Sequence, residues 1–256
     1  MNGLARLAGS TARSLLLRLD ESKCRRLTPY DIGGFDRIYH VHIRKTGGQS
    51  LNQMFLPTIG SEAESTMRRL TWYHRLVIEG KVFATGDQCL INGGHYYYAF
   101  SHAPLHGLRL PEKTFIYTCL RDPVARVISH YRMLMDFRSS GAPHACMKTE
   151  GPWLGDCFDD FVAAMPREHL LNQLYMFSKT FDVNEAFGRI VSCSYYFFME
   201  DFDEGVRQLN ERLGLQLQRA HIGRSRHEVQ VSPEERERLR ERLSPEYELV
   251  ERLRAG

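Results

Sequence analysis

Lys45-Thr46-Gly47-Gly48 lies where a β-rich run, "RIYHVHI" (37–43), gives way to a helical pattern, and Ser50 follows within the first turn. Such a junction can close around an anion. Glycines let the backbone N–H groups approach, the following helix adds its positive end, Lys45 offers a mobile cation, and Thr46 and Ser50 offer hydroxyl donors. The order differs from the phosphate-binding loop G-x-x-x-x-G-K-[ST], where the lysine follows the glycines. These residues alone fit a tight strand-to-helix turn with a solvated lysine equally well. A second stretch, "YTCLRDPVARVISHY", repeats the plan: a strand ends at Arg121, a helix opens at Pro123, and Arg126 and Ser129 follow on its first two turns. Proline at the first helical position gives up no hydrogen bond. Taken singly, Arg121–Asp122 reads as a surface pair and Ser129 as an ordinary helix-face hydroxyl. Two strand-to-helix anion sites in one chain point to a ligand carrying two separate phosphate groups.

The elements that position these residues follow from periodicity. Strands are expected at 37–43, 81–86, 96–102, 113–121 and 189–202, separated by longer helical stretches, which indicates an α/β fold with a parallel sheet. Val124, Val127, Ile128, Tyr131, Leu134 and Met135 recur at helical spacing after Pro123. "RSSGAPHACMKTEGPWLG" reads as a long loop, of the kind that forms lids or substrate-binding elements. "SPEE" opens a final charged helix, with Pro at its first position and acids in its first turn. Without internal repeats, the chain divides into a helical extension over 1–36 and one domain over 37–256.

The chain has 256 residues, 43% apolar and 25% charged, with a formal net charge of +3. Those values are ordinary for a globular protein, and the mild charge lacks the concentrated basic face of a nucleic-acid binder. The longest N-terminal apolar run, Leu15 to Leu17, is too short for a membrane span or a secretory signal, so a cytoplasmic location is expected. Six cysteines without a C-x-x-C pair argue against a zinc site and for reduced thiols; Cys146 and Cys157 flank a Gly/Pro-containing stretch.

"HIRKTGGQSL" resembles the 5′-phosphosulfate loop of sulfotransferases, H-I-P-K-T-G-G-T-S in one large branch, and "RDPVARVISHY" resembles their 3′-phosphate motif, R-D-P-x-x-R-x-x-S-x-Y. That branch contains the uronosyl (heparan sulfate) 2-O-sulfotransferases and bacterial relatives. "GGHYYYAF", "FFMEDFDEGVRQLNERLGL" and the terminal helix, with its acid-then-Tyr, are similar to further family stretches, so the resemblance runs from about Tyr39 to Leu253. It implies a P-loop-like three-layer fold with a central parallel sheet flanked by helices. It also implies sulfuryl transfer from 3′-phosphoadenosine 5′-phosphosulfate (PAPS) to a hydroxyl acceptor, releasing adenosine 3′,5′-bisphosphate (PAP), with no metal required. By the same resemblance Lys45, Thr46, Gly47, Gly48 and Ser50 hold the 5′-phosphosulfate, Arg121 and Ser129 hold the 3′-phosphate, and His95 is the general base. Histidine suits that task because its unperturbed pKa is about 6.5.

Departures bear on these expectations. Arg44 stands for the usual Pro and Gln49 for the usual Thr; both are expected at the donor site, and Arg224, in "HIGRSRHEVQ", is expected to reach the nucleotide. Gly93 stands where the glycosaminoglycan enzymes carry a second histidine. His102 and His106 are the other candidate bases, whereas His40 and His42 are expected to pack beneath the first loop. The implied acceptor is a glycan or glycolipid head group, or alternatively a small metabolite. An ATP-dependent kinase is the other enzymatic reading, with Asp122 as its magnesium-binding acid. A noncatalytic nucleotide-binding protein is the third.

Overall fold

The computed structural model describes residues 15–26, 30, 32–141, 144–218 and 230–256. Helix α1 covers 15–26. It is followed by β1 (Arg37–Val41), α2 (Gly48–Met54), α3 (Gly60–Tyr73), β2 (Arg75–Ile78), β3 (Lys81–Thr85), α4 (Gln88–Gly93), β4 (Tyr98–Ser101), β5 (Thr114–Leu120) and α5 (Pro123–Ser140). The second half adds α6 (Cys146–Thr149), α7 (Phe158–Ala164), α8 (Arg167–Leu170), α9 (Asn172–Tyr175), α10 (Val183–Val191), β6 (Tyr195–Phe198), α11 (Phe202–Leu213), α12 (Pro233–Arg242) and α13 (Ser244–Ala255). No helix among the described residues is long and apolar enough to cross a membrane.

Among the described residues six strands form one sheet in the order β2-β3-β4-β1-β5-β6. Every neighbouring pair is parallel except β2–β3, so the sheet is mostly, not wholly, parallel. The antiparallel edge strand escapes the sequence reading because its hairpin turn is Glu79-Gly80, with φ of 48° and 74°. Two positive φ values in a two-residue connection make a type I′ turn, and Glu is a poor advertisement for one. Two other expectations need correcting. Residues 189–191 belong to α10, whose start is capped by Asp182 accepting from the Glu185 N–H at 2.7 Å; the last strand is only Tyr195–Phe198. The 138–155 stretch is not an extended loop: α5 runs to Ser140, α6 follows, and Gly151–Trp153 forms a 3-10 turn.

Alternation along the strands builds two cores, one on each face of the sheet. Tyr39, Val41, Val82, Ala84, Ala99 and Leu120 join one, with residues from α4, α5, α7, α10, α12 and α13. Ile38, Phe83, Tyr98, Phe100, Phe115 and Tyr117 join the other, with residues from α2, α3 and α11. Because helices cover both faces, Tyr96, Tyr97 and Tyr98 are all buried and divide between the two cores rather than between core and surface.

This layout fixes where a ligand crevice must open. β1 and β5 are parallel neighbours. The helix after β1 packs on one face (Leu51, Met54), and the helix after β5 packs on the other (Val127, Leu134). Chains that leave adjacent parallel strands in opposite directions part beyond the strands' carboxyl ends, and open α/β sheets bind ligands there. The two motifs singled out in the sequence occupy those two strand ends.

Candidate functional site

The first loop is held from beneath. His40 and His42 lie on one face of β1, with ring centroids 5.2 Å apart and stacked, and His40 also stacks on Tyr117 at 4.6 Å. Asn52 of α2 accepts from His40 Nδ1 at 2.7 Å and donates from Nδ2 to His42 Nδ1 at 3.3 Å, tying the helix to the strand. Burial lowers the pKa of both imidazoles, His40 to about 4, so they serve as neutral packing groups. Gly48 rests directly on the His42 ring: a Cβ there would lie 1.9 Å from its Cδ2. Gly47 has φ of 80°, and a Cβ on it would meet Met199 Sδ at 2.5 Å. Both glycines are therefore required by geometry.

That geometry yields an expected result. Alanine at 48 would gain about 1 kcal/mol of helix propensity. His42 has no room to yield, being packed between His40 and His102, and overpacking costs typically 1–3 kcal/mol. Gly48→Ala is therefore expected to lower stability, read as a lower urea midpoint with unchanged slope. An unchanged midpoint would contradict the packing described.

Lys45 adopts a left-handed backbone conformation, φ 67°, which costs a non-glycine residue of order 1 kcal/mol and concentrates at functional sites. Thr46 is buried, and its hydroxyl donates to the Ile43 carbonyl at 3.1 Å, so the side chain braces the loop from inside. The first bond of α2 runs from Leu51 N–H to Gly47 O, which leaves the Gly48, Gln49 and Ser50 N–H groups as first-turn donors. Gln49 is exposed and Ser50 half-buried.

The second loop comes to meet the first. Arg121 Nη1 donates to the Lys45 carbonyl at 3.1 Å. Neither cation has a carboxylate within ion-pairing distance among the described residues. Desolvation and then Arg121 lower the Lys45 pKa to about 8, and desolvation also lowers that of Arg121. Ser129, Arg132 and Asp136 lie at helical spacing on α5, half-buried. Asp136 acts electrostatically on Lys45, while Glu200, then Asp122 and last Arg132 act on Arg121. Arg126, in contrast, is fully buried, with Nη1 donating to the His169 carbonyl at 3.2 Å and Nη2 3.4 Å from Glu246.

Asp122 caps α5, Oδ1 accepting from Ala125 N–H at 2.7 Å, while Oδ2 accepts from the Tyr247 hydroxyl at 2.9 Å. Both oxygens hold the fold, which removes the residue the kinase reading needs. Arg44 is already paired: its guanidinium meets Glu150 at 2.7 Å, and Glu150 in turn meets His130 Nε2 at 2.7 Å. Burial alone would raise the Glu150 pKa, but His130 and Arg44 outweigh it and hold the carboxyl below its ordinary range.

The general base expected at 95 is misplaced. His95 follows the Gly94 cap of α4 and precedes β4, beside Arg37 at the start of β1 and 4.0 Å from Glu21 of α1. Since β4 and β1 are parallel, that is the opposite end of the sheet from Lys45. Seven positions of near-extended chain, roughly 20 Å at about 3.3 Å each, separate His95 from the crevice level. His102 stands at the other end of β4. Its Nδ1 lies 2.7 Å from the His42 carbonyl and its ring centroid 4.3 Å from that of His42. A carbonyl only accepts, so Nδ1 carries the proton and Nε2 is left bare. The residue as a whole is exposed while its imidazole is crowded by protein, and desolvation, then Arg44, lower its pKa. His106 instead sets its ring against Tyr175, centroids 5.5 Å apart, and its Nε2 is buried. Arg224 lies outside the described residues.

The structure thus brings Lys45, Gly47, Gly48, Ser50, Arg121 and His102 to one end of the sheet, with Ser129 about two turns into α5. Several residues that complete the site, Glu150, Asn172, Gln173 and Glu246, carry no spacing signal, because each contacts a motif loop from far along the chain.

No family model matches this chain, and no curated protein does. Among solved structures it is similar to a sulfotransferase from Alicyclobacillus acidocaldarius, at 14% identity over 91% of this chain and 89% of that one, with a TM-score of 0.34.

Proposed function

We propose that the chain is a sulfotransferase that uses PAPS as donor and a hydroxyl compound, here read as a carbohydrate, as acceptor. The observation that carries this reading is the Lys45–Arg121 pair: two half-buried cations at the ends of adjacent parallel strands, joined through the Lys45 carbonyl, with no carboxylate in ion-pairing contact among the described residues, although Asp136 acts on Lys45 and Glu200 on Arg121 from further off. Placing like charges together in a desolvated crevice is unfavourable unless an anion completes the arrangement. First-turn N–H groups of α2 beside one cation, and the Ser129–Arg132 stripe beside the other, fit an anion at each end. A doubly phosphorylated adenosine matches that donor set.

PAPS, when bound, supplies a sulfuryl group on a phosphate leaving group. Lys45 and the N–H groups of residues 48–50 would bind that 5′ end, and Lys45 would oppose charge developing on the leaving oxygen, as preorganised electrostatic stabilisation does elsewhere. Arg121, with its planar fork, and Ser129 would orient the 3′-phosphate. His102, bare at Nε2, takes the place first given to His95 and would accept the acceptor hydroxyl's proton.

The test is thermal unfolding with PAP against ATP plus magnesium. A ligand at a hundredfold excess over its Kd adds about 2.7 kcal/mol to the folded state, a shift of roughly 5–10 °C for a chain of this size. PAP without metal is expected to give the larger shift. A larger shift from ATP–magnesium would overturn the reading.

A further inference from the structure

The two anion loops are far apart in sequence; they leave paired strands and share one direct bond, from Arg121 Nη1 to the Lys45 carbonyl. The adjacent residues Asn172 and Gln173, in the one-turn helix α9, touch both. Asn172 Oδ1 accepts the Arg44 N–H at 3.1 Å, and its Nδ2 donates to the Glu168 carbonyl at 3.0 Å. Gln173 Oε1 accepts the Arg121 N–H at 2.8 Å, and its Nε2 donates to the Arg121 carbonyl at 2.9 Å. Arg121 lies just past β5, where β1 and β5 part and the backbone loses its ladder neighbour. The Gln173 carboxamide supplies the donor and acceptor that a further strand would have given.

This bracket is itself pinned. Glu246 of α13 accepts from Gln173 N–H at 2.7 Å, Leu174 N–H at 3.4 Å and Gln173 Nε2 at 3.3 Å, with Arg126 3.4 Å away to balance its charge. Gln173, Glu246 and Arg126 have 0% exposure, and Asn172 has 6%. Apart from Arg126 Nε, these buried side-chain polar atoms are satisfied, and such a network acts as a rigid unit in which loss of one member leaves the others unpaired. Each carboxamide is oriented by partners at both ends, so neither can rotate without breaking bonds.

We infer that Asn172 and Gln173 are positioning residues that set the distance between the two anion loops, and so make the site select a ligand phosphorylated at both ends over one phosphorylated at one. This rests on the sulfotransferase reading for the identity of the ligand. The two residues act on different loops and leave different signatures. Asn172 holds the first loop at Arg44, next to Lys45, and so governs the grip on the 5′ end common to both ligands. Gln173 holds Arg121 and governs the grip on the 3′-phosphate alone.

The experiment measures calorimetric Kd values for PAP and for adenosine 5′-phosphate with the full chain, the fold of each variant being checked by circular dichroism. Wild-type protein is expected to prefer PAP. In Gln173→Ala the preference should fall about tenfold, the loss of one well-placed charged contact, while adenosine 5′-phosphate binds as before. In Asn172→Ala both ligands should weaken about tenfold with the preference kept. General loosening of the fold would weaken both ligands in both variants and would not separate them. Gln173→Met keeps the side-chain volume without the bonds and serves if the alanine variant does not fold; should neither fold, the Asn172→Ala result decides. A folded Gln173 variant that keeps the full preference, or an Asn172→Ala protein with unchanged affinities, overturns the inference. Wild-type protein that binds neither nucleotide removes the functional reading and this inference with it.

Discussion

Lys45→Ala is expected to lower turnover by about 10²–10³-fold, the cost of removing one preorganised donor from a developing oxyanion. The argument is electrostatic. Burial and Arg121 hold the Lys45 ammonium at a pKa of about 8, so the cation is kept in an environment that resists it. Its charge is most useful when a bound anion relieves that resistance. The pH dependence follows with a definite sign. A lysine whose folded pKa lies below its unfolded value binds fewer protons when folded, so the ligand-free protein gains stability as pH rises from about 8 toward the unfolded value. PAP affinity should move the opposite way, falling as Lys45 discharges above about 8. In Lys45→Ala that alkaline decline should vanish. A variant that keeps wild-type turnover, or a wild-type affinity flat through pH 9, would show that Lys45 does not face the ligand.

The second large effect separates two histidines. His102→Ala should lower turnover by about 10²–10⁴-fold, the range of a positioned general base, and leave PAP affinity unchanged. His95→Ala should leave both unchanged, since β4 carries that residue to the far end of the sheet. Because the His102 pKa is lowered, its neutral, proton-accepting form persists into more acid solution. The acid limb of kcat/KM is therefore expected below the ordinary imidazole value. Steady-state kinetics of the two variants decide the matter: loss of turnover in His95→Ala with full activity in His102→Ala would reverse the assignment.

The contrast between these histidines shows what the sequence can and cannot convey. Residues that act with their own neighbours were legible. The Gly47–Gly48 turn, the Asp122 cap with Pro123 behind it, and the stripe on α5 are each encoded within a few positions, where turn chemistry and helical period operate. Five of the strands were readable for the same reason, β6 with bounds drawn too wide. His95 was misassigned because a motif alignment gives order along the chain but not which end of a strand a residue flanks. That end depends on strand direction within the sheet. Arg126 falls inside the second motif, yet its partner Glu246 lies 120 positions away and no local pattern announces it. Gln173 is similar: a single amide in an amphipathic stretch reads as a surface residue until β5 is placed beside it. The edge strand β2 was lost to a turn whose backbone is typical of hairpins but whose first residue is not.

The terminal helix, whose Glu246-Tyr247 pair had no mechanical meaning in the sequence, acquires one here. Glu246 fixes Gln173 and Arg126, and Tyr247 donates to Asp122, so α13 locks the start of α5 and the Arg121 loop together. The last turns of the chain thereby brace the Arg121 loop from far along the sequence.

A crystal structure of the protein with PAP tests the central claim most directly. The account predicts the 5′-phosphate at the Lys45 loop, against the N–H groups of residues 48–50, and the 3′-phosphate at Arg121 and Ser129, one nucleotide spanning both strand ends. Density for the nucleotide elsewhere, with Lys45 and Arg121 making no contact to either phosphate, would contradict it.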